Sequence, residues 1–141
     1  MKIDRGKIYS KIDELNNYLD ELEKIKPADF KEYKDSIEKK RACERLLQIS
    51  IETVIDVGNV LVSNLKLGIP SDEDELFDKL KHKKIISGKM EKILKDMKGF
   101  RNILVHKYGE VDDELAFENL DKLGDFEDFV GEVMSFVKKG D

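Results

Sequence analysis

Residues 47–65 read LQISIETVIDVGNVLVSNL. Leu47, Ile51, Val54, Gly58, Leu61 and Leu65 follow one another at alternating steps of four and three. That is a seam with a period near 3.5 residues, the mark of a helix packed lengthwise against others in a bundle. Gly58 stands inside the seam. Glycine costs about 1 kcal/mol in a helix interior, so close approach of another helix is the compensation expected there. This stretch sets the fold class as all-α, and the rest of the chain is read outward from it.

Upstream, the same helix is expected to begin at Asp29 or a neighbour and to run to Lys66. Pro27 separates it from a first helix, Ile3 to Ile25, in which Ile8, Ile12, Leu15, Leu19 and Leu22 share one face. Downstream, Leu67-Gly68-Ile69-Pro70 breaks the chain, with Gly68 the expected left-handed residue after the helix end. Ser71-Asp72-Glu73-Asp74 has the form of a capping box with acidic residues at a helix N-terminus. The short third helix that follows carries Leu76, Phe77 and Leu80, and His82 falls at its basic end. A fourth helix starts with Ser87 as N-cap, uses Met90, Ile93, Met97, Phe100 and Leu104 as its core stripe, and ends at Tyr108-Gly109. A fifth is expected from about Asp112 to Lys138, carrying Leu115, Leu120, Leu123, Phe126, Phe129 or Val130, Val133 and Val137, with Gly124 and Gly131 weakening its middle. The expected architecture is an up-and-down four-helix bundle plus one short helix, with residues 1–141 as a single domain.

Composition narrows the function classes. Hydrophobic and charged residues each make up 40% of the 141 residues, too apolar and too periodic for disorder. Two prolines and no tryptophan fit helices better than a turn-rich β fold. The net charge is −5 and the pI about 5.2, so any nucleic-acid contact belongs to a small local cationic site rather than a basic coat. The single cysteine, Cys43, has no disulfide or CxxC partner, and its spacing to Leu47 and Ile51 places it in the core. No apolar run is read as approaching the ~20 residues of a membrane span, and there is no signal-peptide core. A cytoplasmic protein without a membrane contact is expected.

Two stretches carry polar residues at helical spacing. Arg41, Arg45, Gln48, Glu52 and Asp56 run just off the long seam. They read either as a solvated face with local ion pairs or as the border of a cleft. The second stretch is Met97 to Glu114, MKGFRNILVHKYGEVDDE. At about 100° per residue, His106 lies roughly 150° from the centre of the fourth helix's stripe. Asn102 shares that outward face one turn away, and Ile103 also lies well off the stripe. Arg101 and Tyr108 share a flank. An outward histidine and isoleucine suggest a second surface, such as a partner subunit.

The residue types suit phosphate chemistry. Histidine moves protons near neutral pH. Arginine grips a phosphate with a planar fork and stabilises charge on phosphoryl oxygens. Asparagine can orient either group, and tyrosine supplies a hydroxyl or a stacking ring. The set matches RNA cleavage by attack of a 2′-OH on the adjacent phosphate, with no metal and no cofactor. There is no HExxH, no nucleophile elbow and no glycine-rich phosphate loop. The residues alone leave two readings open, an ordinary helix end and a site.

The string GFRNILVHKYGEVD resembles the signature of the HEPN superfamily, in its HepT-like branch of small helical ribonuclease toxins. The pattern there is R-x4-H-x-Y with a polar residue directly after the arginine, and Arg101, Asn102, His106 and Tyr108 fill every position. ERLLQISIETVIDVGN, residues 44–59, is similar to that branch's second helix, and IPSDEDELFDKL, residues 69–80, to its third. The resemblance implies a bundle that dimerises with two motifs facing each other. It implies metal-independent cleavage of RNA, tRNA being one candidate, with Arg101 and His106 as the catalytic pair and Asn102 and Tyr108 as supporting motif residues. It also implies a minimal nucleotidyltransferase antitoxin as partner, which can silence such a toxin by AMPylating the motif tyrosine, here Tyr108. The alternative within the same resemblance is a non-catalytic HEPN module that binds nucleotides or proteins and partners a nucleotidyltransferase.

Overall fold

In a computed structural model of the chain, residues 2–106 and 111–140 are described. Among them the chain forms seven helices and no strand, an all-α architecture as the seam requires. They are α1 (Arg5–Ile25), α2 (Phe30–Asp35), α3 (Ile37–Asn64), α4 (Glu73–His82), α5 (Gly88–His106), α6 (Asp113–Leu120) and α7 (Gly124–Lys138).

The extra helices come from two breaks that the apolar pattern conceals. The long helix expected from Asp29 is α2 plus α3, because Ser36 leaves the helical region at φ −116°, ψ 104° and turns its hydroxyl onto the N–H of Lys39 as a fresh N-cap. Asp29 does cap α2, accepting from Glu32 N. The helix expected from Asp112 to Lys138 divides into α6 and α7 at residues 121–123. Asp121 and Leu123 keep right-handed helical angles through the turn, so Leu120, Leu123 and Phe126 stay on one buried stripe across it.

Helix ends depart from the sequence reading in detail. The left-handed residue after α3 is Lys66 (φ 53°), not Gly68. Lys66 N donates to Ser63 O and Leu67 N to Val62 O, the paired bonds of a Schellman end. Gly68, also at positive φ (93°), turns the chain a second time. α4 closes in the same way at Lys84 (φ 65°). At the start of α4 the N-cap is Asp72, whose carboxylate accepts from Glu75 N. Ser71 instead donates to the Glu75 carboxylate. Ser87 caps α5 as expected, accepting from Met90 N at 3.0 Å, and Glu132 of α7 accepts from both Ser87 N and Ser87 Oγ.

The bundle is antiparallel where its polar contacts report direction. Asp4 N meets Asn64 Oδ1 and Lys11 meets Asp56, so α1 runs against α3. Arg5 of α1 donates to the carbonyl of Val137 in α7. One continuous core joins the inward faces of all seven helices, α2 contributing Tyr33. Gly58 is buried against α4: a Cβ there would stand 3.1 Å from Leu80 Cδ1 and 3.4 Å from Leu76 Cδ2. The close approach expected of the seam glycine is made by the short helix. α2 is fastened by rings, with Phe30 and Tyr33 each about 6 Å from Phe117 of α6 (5.7 and 5.8 Å).

α3 corrects the reading of the apolar runs. Among the described residues it is long and apolar enough, by length and composition, to cross a membrane. However, 56% of that apolar stretch is buried inside the fold, where it faces α1, α4 and α5.

Candidate functional site

The site is built where the C-terminal half of α5 passes the first turn of α4 and the middle of α3. The fully buried residues of α5 are Met90, Leu94, Met97 and Phe100, while Ile93 and Leu104 are only partly covered. Leu94 was absent from the expected stripe. With Leu94 in the buried set and Ile93 and Leu104 at its margin, the buried face is rotated by roughly 25° toward Arg101, which then stands only about 35° from its centre. This explains why a charged side chain at position 101 is just 14% exposed. The same rotation leaves His106 almost diametrically opposite the core, and His106 is exposed.

Arg101 is gripped on several sides. Its Nε donates to Asn102 Oδ1 at 3.0 Å. Its Nη2 donates to Glu73 Oε1 in a close ion pair with the first turn of α4. Its Nη1 lies 3.9 Å from Glu52 Oε2 on α3, and Glu52 also accepts from Gln48 Nε2 at 3.3 Å. The guanidinium therefore has one edge, Nε and Nη2, committed to firm acceptors. Nη1 keeps a Coulombic contact longer than a hydrogen bond.

The candidate residues divide accordingly. Arg101 and Asn102 are brought together, and His106 sits in the last turn of α5 on the outward face it shares with Asn102. Tyr108, the fourth motif residue, and the helix end expected at Tyr108-Gly109 lie outside the described residues. The polar stripe of α3 does not act as one surface. Arg41 pairs with Glu44, Asp56 with Lys11, and Arg45 is exposed. Only Glu52, with Gln48 behind it, reaches Arg101. Cys43 is buried, and burial first, then the Glu44 carboxylate, pushes its thiol up to about 11. It is a packing residue with no thiolate at neutral pH. Among the described residues no three His, Cys, Asp or Glu side chains converge as a metal-ligand set.

Glu73 is the site residue that the sequence reading passed over. Asp72-Glu73-Asp74 served there only as a capping signal. The available clue was reverse complementarity between two segments. Acidic residues 73, 74 and 78 match basic residues 101, 98 and 95 in antiparallel order, and the structure pairs them so, with Lys98–Asp74 at 2.8 Å and Lys95–Asp78 at 3.2 Å.

Comparison with known proteins gives the following. The family model described as "Ribonuclease HepT-like" matches residues 15–133. A tRNA nuclease HepT of Aphanizomenon flos-aquae is 31% identical over 110 residues, covering 78% of this chain and 75% of the relative. An mRNA nuclease HepT of Shewanella oneidensis is 34% identical over 85 residues, 60% of this chain and 64% of the relative. Among solved structures, the tri-AMPylated HEPN toxin of Shewanella oneidensis in complex with an MNT antitoxin superposes with a TM-score of 0.84 at 26% identity, over 91% of this chain and 96% of that one. A cytosolic Bacillus subtilis protein of unknown function has the same fold at 22% identity, TM-score 0.84, over 99% of this chain and 94% of that one.

Proposed function

Because the chain belongs to the HepT-like ribonuclease family, we propose that it is an endoribonuclease toxin whose catalytic pair is Arg101 and His106. The observation that carries the reading is the orientation of α5: His106 is exposed on the face away from the core, while Arg101 is held at the core's edge by its neighbours. In the reaction, neutral His106 accepts the proton of a ribose 2′-OH. The 2′-oxygen attacks the adjacent phosphorus, and the bond to the 5′-oxygen of the next nucleotide breaks. The products are a 2′,3′-cyclic phosphate and a 5′-hydroxyl, whose proton comes from solvent or from the imidazolium. Arg101 stabilises the charge that builds on the phosphoryl oxygens through the Nη1 side of its fork. The proposed steps use His106, Arg101 and solvent, with no step routed through a metal. The two nuclease relatives are named for tRNA and for mRNA, so both RNA classes are substrates to assay.

The rest of the reading follows the same kinship. Residues 1–141 act as one HEPN domain in the cytoplasm. Two copies pair through the outward face of α5, where His106 is exposed and Asn102 and Ile103 are half-buried. The regulatory partner is a minimal nucleotidyltransferase antitoxin, as in the AMPylated toxin complex, and Tyr108 is the residue it modifies. An AMP group there places a bulky anion in the motif, where it competes with an RNA phosphate for Arg101.

One observation favours the non-catalytic alternative: Glu52 and Glu73 together outweigh the single charge of Arg101. A local excess of negative charge weakens phosphate binding. Incubating purified protein with total RNA separates the two. The ribonuclease reading expects cleavage that falls by about 10²–10⁴-fold in His106→Ala, with the melting temperature unchanged because the residue is exposed. RNA left intact by the wild-type protein rejects it. Sizing tests the pairing, which a strict monomer contradicts.

A further inference from the structure

α4 and α5 are joined by a run of ion pairs. Lys81 faces Glu91 at 3.6 Å, Asp78 faces Lys95 at 3.2 Å, Asp74 faces Lys98 at 2.8 Å, and the last pair is Glu73 with Arg101. Each of the other three pairs keeps one partner at least 48% exposed. In the last pair both partners are largely covered, Arg101 at 14% exposed and Glu73 at 31%. Glu73 itself stands on a fixed platform. It is the first residue of α4, directly after the Asp72 cap, where the helix dipole favours a carboxylate. Leu76 and Leu80 clamp that helix onto α3 at Gly58.

We infer that Glu73 is the positioning residue of the proposed reaction: it fixes the Arg101 guanidinium by its Nη2 edge so that Nη1 is the donor presented to the RNA phosphate. The inference rests on the reading of Arg101 as the phosphate-binding residue. The geometry carries it in three steps. Nε is taken by Asn102 of the same helix, which sets the tilt of the guanidinium. Nη2 is taken by Glu73 of a different helix, which sets its rotation. Nη1 faces Glu52 across 3.9 Å, beyond hydrogen-bond length, so its donors are not committed to that carboxylate. Two acceptors from two elements remove the freedom of an otherwise flexible side chain before substrate arrives, which is how preorganised charge stabilises a transition state.

The test uses the full chain in wild-type, Glu73→Ala, Glu73→Gln and Glu75→Ala forms. Glu75 lies in the same first turn and has no contact to Arg101, so it controls for lost helix-dipole stabilisation; thermal melts confirm folding. Two readouts are taken: hydrogen exchange of the Arg101 Nε–H by NMR, and kcat and KM on an RNA oligonucleotide. Misplacing a reacting group by about 1 Å costs on the order of 100-fold. Glu73→Ala should therefore lose at least about 10-fold in kcat, and its Arg101 Nε–H should exchange faster than in wild type because the guanidinium, released at Nη2, pulls away from Asn102 more often. Glu73→Gln should recover part of both, because its amide oxygen still accepts from Nη2, and Glu75→Ala should match wild type. If wild type cuts RNA and Glu73→Ala cuts as fast, the positioning role is overturned whatever the exchange shows. It is equally overturned if Glu73→Ala raises kcat/KM, since the carboxylate would then be competing with the phosphate. A wild-type protein that leaves RNA intact overturns the ribonuclease reading instead, and the catalytic role with it.

Discussion

The contact of α1 with α3 and the contact of α4 with α5 are both antiparallel helix pairs, yet they are held in opposite ways. Along α1, Ile8, Ile12, Leu15, Leu19 and Leu22 are all buried. They meet an apolar face of α3, with the Lys11–Asp56 pair only at its margin. Along α4 and α5 a series of acid–base pairs lines the outward flank, while Leu76, Phe77 and Leu80 of α4 and Met90, Leu94, Met97 and Phe100 of α5 go inward. Burial of apolar area gives stability but little directional information. Charge pairs add little stability at a surface, but they fix register, and register is what sets Glu73 against Arg101. The first contact is almost wholly apolar, and the second sets a matched row of charges beside its apolar face.

The sharpest way to break this contrast is to truncate the first contact. Leu15 is fully buried, and Leu15→Ala should cost about 2–5 kcal/mol through lost transfer energy and the cavity left behind. Denaturant unfolding measures it, and a loss below about 1 kcal/mol would mean that α1 is not integral to the core. Any fall in RNA cleavage by this variant should track the fraction folded, because Leu15 is not among the residues that touch Arg101.

The same contrast explains what could be read from the sequence. The seam of residues 47–65 was legible because apolar side chains mark every inward turn of α3, and the all-α class, the first helix and the Ser87 cap followed from equally local signals. The break at Ser36 was not legible, since residues 34–36 carry no apolar side chain to reveal a change of phase. The turn at 121–123 was hidden for the reverse reason: its helical angles carry the apolar stripe straight through. In the site, the outward direction of His106 could be read from a helical wheel, because direction depends only on its own helix. The environment of Arg101 could not, because Glu52 and Glu73 arrive from helices distant in sequence. Leu94, which turns Arg101 toward the core, was missed because an amphipathic stripe can be drawn without it.

A second, smaller effect separates the packed interior from the solvated pairs by pH. Cys43 is buried in α3, and its thiol is raised from 9.0 to about 11, first by burial and then by Glu44. Its neutral form is favoured in the folded state. Between those two values the folded protein binds more protons than the unfolded chain, so stability is full below about pH 9 and falls as pH rises toward 11. The loss is on the order of 2 kcal/mol. Thermal melts from pH 8 to 11 should show a steeper decline in wild type than in Cys43→Ala, whatever the offset between them at pH 8. Parallel slopes would mean that the thiol reaches solvent before the fold opens.

The smallest effect tests the solvated side itself. Lys98 pairs with Asp74 at 2.8 Å, with its own side chain 23% exposed and the carboxylate 48%. Lys98→Met keeps the apolar stem and removes the charge, so the stability lost should stay below about 1 kcal/mol, the usual range for such pairs. In 1 M salt, where the screening length is about 3 Å, the difference should shrink further, whereas that of Leu15→Ala should not. If register is the contribution of these pairs, Lys98→Met should still loosen Arg101, raising the exchange rate of its Nε–H while the melting temperature barely moves. A variant that shifts neither quantity would leave the alignment of the site to the apolar clamp of Leu76 and Leu80 on Gly58 alone.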